Sequence, residues 1–429
     1  MLQATVQTIA ARQRLSLAIS ALRHRNYRLY WFGQLASVLA QNMEYVAQSW
    51  LVFELTNSPL LLGLTGLSQA IPTITLTLVG GVFADRADRR RIMIAAQSSV
   101  ALLYLILATL IFIDMILLWH VMAVAFVSGA VRAFDRPSRM ALLPHMVPKE
   151  DIPNAVAIGG TIWQLCKLTG PAAAGMLIYL FGVAVTYFLC FAASLSAVLL
   201  WVFIRLQHQS IAAGSGGMLQ QMKDGVNFIR HNELYITFIG LTFFNSIFGM
   251  SYVLLMPVFA RDILQVGPRG FGFLQSAAGA GALVGTLAAA LFSHSGRQVL
   301  QTAIGATLFG IILMLFALSP IYTLSMALVF ALGLTSQFYM TSVNQTLQLH
   351  LPEHLRGRVM GISGLAWEVT PIGGIFAGTI AEFAGAPVAV MIGGALVAGT
   401  ALRIVLSKAK MRRLEPQLNL AGDEIRAGR

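Results

Sequence analysis

Residues 81–91 read Gly-Val-Phe-Ala-Asp-Arg-Ala-Asp-Arg-Arg-Arg, and they lie between two long apolar runs, 60–83 and 92–114. A water-soluble chain rarely puts so dense a charge cluster between segments that need burial. A chain that crosses a bilayer repeatedly does so readily, because short cytoplasmic turns collect Lys and Arg while the flanking helices must be apolar. Composition agrees: 57% of the 429 residues are hydrophobic and 11% charged, where soluble domains carry roughly a quarter charged. The net charge of +12 falls in short clusters between apolar segments. It forms no basic stripe with interleaved aromatics, which argues against a nucleic-acid partner.

About 20 apolar residues cross the hydrocarbon core as a helix. Twelve segments meet that length: 29–55, 60–83, 92–114, 116–134, 154–181, 184–206, 233–260, 268–293, 298–318, 321–347, 358–383 and 386–408. The reading is an all-α polytopic membrane protein with an N-terminal segment (1–28), a six-helix bundle (29–206), a linker (207–232), a second six-helix bundle (233–408) and a tail (409–429). With these spans, 26 of the 29 Lys and Arg fall on one side, only Arg261 and Arg269 on the other, and Lys167 within a span. The bias puts both termini in the cytoplasm. The linker holds Gly214-Ser215-Gly216-Gly217, then apolar residues at 218, 219, 222, 226 and 229. That spacing predicts an amphipathic helix on the membrane face. No cleavable signal peptide is expected, since the first 28 residues are mixed and Arg-bearing.

The halves share a weak repeat. At an offset of 209, Pro59 and Gly63 match Pro268 and Gly272; at an offset of 200, Gly170-Pro171 falls opposite Thr370-Pro371. Two related halves around a central site is a transporter design. No Walker motif is present, and neither the eight His nor Cys166 and Cys190 form a metal-ligating pattern. No cofactor, metal or catalytic residue is implied. The Gly279–Gly285 run lacks a preceding strand and reads as close helix packing.

Ionisable groups inside spans are costly and usually functional. Glu44 in span 1 and Glu368 in span 11 are the candidates for proton coupling. Lys167 in span 5 is either a counter-ion of Glu368, a structural ion pair, or an attractor of anionic substrate. Arg132 in span 4 either joins the site or snorkels to the inner surface. Gln41, Glu44 and Gln48 fall at i, i+3 and i+7, with Gln34 seven residues earlier. This places a polar stripe on one helix face. Asn245, Gln337 and Asn344 are further candidate lining residues, and Phe244, Phe248, Phe338 and Tyr339 are candidates for an apolar wall.

The Gly81, Asp85, Arg86, Arg89 and Arg90 pattern, the six-plus-six layout and the linker together resemble the major facilitator superfamily. Asn26-Tyr27-Arg28-Leu29-Tyr30-Trp31-Phe32-Gly33-Gln34, and later Ala133-Phe134-Asp135-Arg136-Pro137-Ser138-Arg139, are similar to its bacterial branch of siderophore exporters and macrolide efflux pumps. The resemblance implies that spans 1, 4, 7 and 10 line a central cavity. It also implies a conformational latch of Asp85, Arg86, Arg89, Arg90 and Asp135, with Asp85 at the N-terminus of span 11 near Arg358 and Arg89 paired to Asp135. Gly170, Pro171 and Gly175 resemble the helix-bend motif of family antiporters, which favours export. Asp88 stands where the family loop carries a second glycine, so the turn is expected to hold an Asp at glycine-like backbone angles. The function read from these features is proton-coupled efflux of amphiphilic organic compounds by a monomer in the bacterial inner membrane. An importer, a lipid flippase, or a non-transporting scaffold or sensor are the competing readings.

Overall fold

The computed structural model describes residues 20–86, 88–205, 218–292 and 298–406, and the secondary structure among them is helical throughout. Helix α1 is Arg25–Thr56, α2 Pro59–Arg86, α3 Arg89–Phe112 and α4 Leu118–Leu142. A 51-residue helix, Ile152–Val202, follows; it is broken at Gly182, whose φ of 83° is open chiefly to glycine, and so yields α5 (152–181) and α6 (183–202). After the linker helix Met218–His231 come α7 (Glu233–Ile263), α8 (Gly267–Phe292), α9 (Gln298–Ala317), α10 (Tyr322–His350), α11 (Glu353–Glu368 continued by Thr370–Ala384) and α12 (Ala386–Leu406).

Ten described helices are long and apolar enough to cross a membrane, and one of them contains the Gly182 break and crosses twice. The twelfth crossing, α1, has the length but carries Gln34, Gln41, Glu44 and Gln48, which the bundle interior rather than lipid must accommodate. The linker contains the expected helix, whereas 207–217 and both terminal segments lie outside the described residues. Helix α4 runs eight residues beyond the expected end at 134 and through Pro137, so Arg136 and Arg139 are helical rather than in a loop. Helix α7 is interrupted by π-helical turns at Asn245–Gly249 and Phe259–Ile263.

The distribution of the core tells how the two bundles meet. At the end remote from the α2–α3 loop, a single apolar cluster runs across both, from Trp50, Phe53, Tyr104 and Tyr187 to Tyr252, Phe259, Phe271 and Phe316. At the loop end the core divides. One cluster holds Tyr27, Tyr30, Met93 and Trp201 of the first bundle, and another holds Tyr235, Phe238, Tyr339 and Val359 of the second. The bundles are thus fused at one end and separate at the other.

Two helix pairs form the seam, α2 with α11 and α5 with α8, and both need bare backbone. A Cβ at Gly63 would sit 2.6 Å from the Gly374 carbonyl oxygen, and one at Gly175 would sit 2.8 Å from Gly272 Cα. Gly63 and Gly272 are the matched glycines of the sequence repeat, so the repeat marks the two equivalent seams.

Candidate functional site

Glu44, midway along α1, is buried, and its Oε2 accepts from Arg132 Nη2 on α4 at 3.4 Å. Tyr104 of α3 and both Tyr187 and Cys190 of α6 lie within electrostatic range of it. The carboxylate therefore faces the interior of the first bundle. Arg132 is turned inward to it instead of snorkelling. Gln41 and Gln48, three and four residues away, share none of these partners, and Gln48 Nε2 is buried without one. The stripe read from the helical spacing is split between two surroundings.

Two turns toward the loop end, Arg139 organises a second polar cluster. Its Nε bonds Asp135 at 2.7 Å, Nη1 donates to Gln34 Oε1 at 2.6 Å, and Nη2 donates to Gln97 Oε1 at 2.9 Å. The guanidinium also lies 4.4 Å above the Trp201 ring, which itself donates to Tyr30 O. Four helices, α1, α3, α4 and α6, are tied through this one fork. Planar, always-charged Arg suits such a site because it can bond along its edge and stack through its face at once. Sequence reasoning gave Arg139 no role. The available signal was the i, i+4 pair Asp135 and Arg139 on a helix that continued past its expected end.

Asp135 thus pairs with Arg139, not with Arg89 as expected. Arg89 Nη1 instead donates to Ala141 O at 3.4 Å and approaches His145 Nε2 at 3.3 Å. Arg90 Nη2 donates to Val202 O, and Asp88 caps α3 by accepting from the amides of Arg90 and Arg91 at 3.0 and 3.2 Å. Asp88 has φ −66° and ψ 105°, an ordinary N-cap geometry. The expected glycine-like turn is therefore corrected: the acid stays because it caps the helix. The side chains of Asp85 and Arg86 lie outside the described residues.

Polar links also cross the seam. Arg136 Nη1 on α4 meets Glu368 Oε1 on α11 at 3.2 Å, just where α11 breaks at Val369. At the fused end, Glu382 Oε2 accepts from Ser58 Oγ at 2.7 Å and from Leu60 N at 3.3 Å, and Arg261 Nη1 donates to Phe53 O at 3.5 Å. Glu368 therefore bonds Arg136 and not Lys167. Lys167 is half-buried on α5, where its carbonyl packs on Gly279 of α8.

The remaining candidates are dispersed. Asn245 is buried in the first π turn of α7 and donates to the Tyr339 hydroxyl on α10. Gln337 bonds Thr341 on its own helix, and Asn344 is half-buried. Pro171 sits in unbroken helix, and Gly170 and Gly175 provide close approach to Asn42 and Gly272. Phe248 packs edge-on against Phe376 in the second bundle, while Tyr339 is fully buried. The 279–285 run packs α8 on Lys167 of α5 and Leu334 of α10, as helix packing requires.

Twelve helices in two fused bundles with buried ion pairs have the organisation of a membrane carrier, and comparison decides the family. The family model described as "Transmembrane secretion effector" matches residues 16–426. The chain belongs to that family, within the major facilitator superfamily. Macrolide efflux protein A of Streptococcus pyogenes is 22% identical over 388 residues, covering 87% of this chain and 95% of that one. The multidrug efflux pump Tap of Mycolicibacterium fortuitum is 25% identical over 371 residues (83% and 89%), and the staphyloferrin A transporter of Staphylococcus aureus 23% over 357 residues (83% and 86%). Among solved structures, a bacterial homolog of the human lysosomal transporter Spinster superposes with a TM-score of 0.70 at 12% identity, covering 94% and 98% of the two chains. The nucleoside transporter NupG gives 0.68 at 13%, covering 89% and 99%.

This major facilitator protein is accordingly a multi-pass membrane transporter of small molecules and not an enzyme. The Glu44–Arg132 and Asp135–Arg139 pairs both lie inside the first bundle, whereas Arg136–Glu368 lies between the bundles.

Proposed function

We propose that this protein is a proton-driven exporter of amphiphilic organic compounds, working by alternating access in the bacterial cytoplasmic membrane with both termini inside. One observation carries the reading: the bundles share a core at one end and have separate cores at the loop end. A carrier closed on one side and parted on the other exposes its seam to one face at a time. The Lys and Arg bias makes the parted end cytoplasmic. The export direction is supported by relatives that are named efflux pumps.

Proton coupling is proposed to work through linkage. An interaction present in only one of two conformations changes the binding of any ligand that removes it, and by the same factor. Protonation of Glu368 would remove the charge that Arg136 bonds, and so weaken the state in which the pair is made. Protonation of Glu44 would release Arg132 inside the first bundle. Asp85, with Arg86, Arg89 and Arg90, is proposed as the latch that holds the cytoplasmic end closed in the opposite state; a carboxylate at a helix N-terminus gains about 0.3–1 kcal/mol there. The protein is proposed to act as a monomer.

The test uses inverted vesicles carrying the protein and an imposed pH gradient. Accumulation of ethidium or erythromycin that stops when the gradient is collapsed is the expected result. Uptake that persists without the gradient removes proton coupling, and flux only in the opposite orientation makes the protein an importer.

A further inference from the structure

Resting on the exporter reading, we propose that Lys167 is the anion-binding element of the transport path, and that the preferred cargo carries a carboxylate on an apolar body. Three acid–base pairs elsewhere in the two bundles are matched within the protein. Glu44 bonds Arg132, Asp135 bonds Arg139, and Arg136 bonds Glu368. Lys167 has no acceptor within bonding distance among the described residues, although it is half-buried near the middle of α5. A cation without a counter-charge at membrane depth is costly, and such residues mark ligand paths.

Its position is on the seam. The Lys167 carbonyl is where a Cβ on Gly279 of α8 would come to 2.5 Å, and one turn along, Ala172 N donates to Ser276 Oγ at 2.9 Å. Gln275, next to Ser276, has a buried Nε2 with no partner, and so has Gln48 of α1. Gln48 lies two residues from Trp50, whose ring stacks on Phe271 of α8 at 6.2 Å, so the Gln48 side chain leaves the opposite side of α1 and takes no part here. Gln275 lies one turn from Gly279, so register brings an ammonium and one unpartnered amide donor to the α5–α8 seam, within about two helical turns, roughly 10 Å. Two donors without an acceptor, Lys167 Nζ and Gln275 Nε2, are complementary to an oxyanion, and a charge-assisted bond from Lys is the strongest that a carboxylate would find there. Trp163, four residues before Lys167 on α5 and 42% exposed, suits an apolar remainder.

The test compares dansyl-labelled undecanoate with its methyl ester and with an analogue ending in trimethylammonium. Binding to the purified full chain in phosphatidylcholine nanodiscs is read from dansyl fluorescence. Wild type is expected to bind the carboxylate at least about tenfold more tightly than the ester. Lys167→Gln should erase that preference and Lys167→Arg should keep it. Equal affinities in wild type, a preference for the trimethylammonium probe, or an unchanged preference in a monodisperse Lys167→Gln protein overturns the assignment. If phosphatidylglycerol in the nanodisc abolishes carboxylate selectivity, the anion held is a lipid phosphate, which also overturns it. Should Lys167→Gln not fold, the wild-type selectivity series decides alone. Proton-driven export of all three probes without preference leaves the exporter reading standing and removes Lys167. Carboxylate-selective binding without proton-driven flux does the reverse.

Discussion

Arg136 and Glu368, 232 positions apart, meet at 3.2 Å across the boundary between the two bundles, immediately beyond the last close contact of α2 with α11. The Arg side chain is 69% exposed and the Glu 27%. The pair is thus weak enough to break in a working cycle, yet it spans the two bodies that must move.

Glu368→Gln should shift the balance of bundle conformations by roughly 1.4- to fivefold, the effect of losing an ion pair worth about 0.2–1 kcal/mol in a wet setting. Distances between spin labels at the loop ends of α4 and α11 measure it. Arg136→Glu combined with Glu368→Arg should restore the wild-type distribution. If the double variant behaves like the single ones, the pair is incidental.

Glu44→Gln leaves Arg132 without its partner inside the first bundle. Breaking a buried pair from one side costs about 3–5 kcal/mol, because an uncompensated charge remains. The expected outcome is a lower melting temperature together with loss of gradient-driven efflux, with bound ligand retained. Glu44→Gln with Arg132→Gln should recover most of the stability but not the coupling. Full coupling in the double variant would place the proton site elsewhere.

Arg139→Lys keeps the charge but loses the fork. Lys cannot bond Asp135, Gln34 and Gln97 together while stacking on Trp201, so Gln34 loses its charge-assisted partner and Gln97 keeps only Ser37. Each buried polar group left unpaired costs about 1–3 kcal/mol. Thermal unfolding of the detergent-solubilised protein should therefore fall well below wild type. A melting temperature within error of wild type would show that water replaces the fork.

Gly63→Val places branched carbons where α2 and α11 have none to spare, 2.6 Å from the Gly374 carbonyl. Overpacking of this kind costs about 1–3 kcal/mol. Because the clash exists only when this end is closed, the substitution should favour the opposite state and slow transport while each bundle stays folded. Cross-linking of cysteines introduced at positions 58 and 382 should become slower, and an unchanged rate counts against the seam.

Most of the architecture was legible in the chain itself. The charged run 81–91 between apolar segments, the basic-residue bias and the length of each run dictated a membrane solvent and twelve crossings, because the hydrocarbon thickness leaves helices of that length few alternatives. The repeat at offset 209 also marked the seam glycines, since close backbone approach requires them on both sides. Only the tertiary structure decided which charges are partners. Helical spacing put Gln41, Glu44 and Gln48 on one face, but the neighbours of that face differ along its arc, so Glu44 turned to Arg132 while Gln48 kept a free donor. Asp88 looked like a misplaced glycine until its carboxylate was seen on the amides of Arg90 and Arg91. Arg136 and Glu368 share no local pattern at all: their contact depends on two bundles being fused at the far end, a long-range packing fact that no periodicity within one helix records.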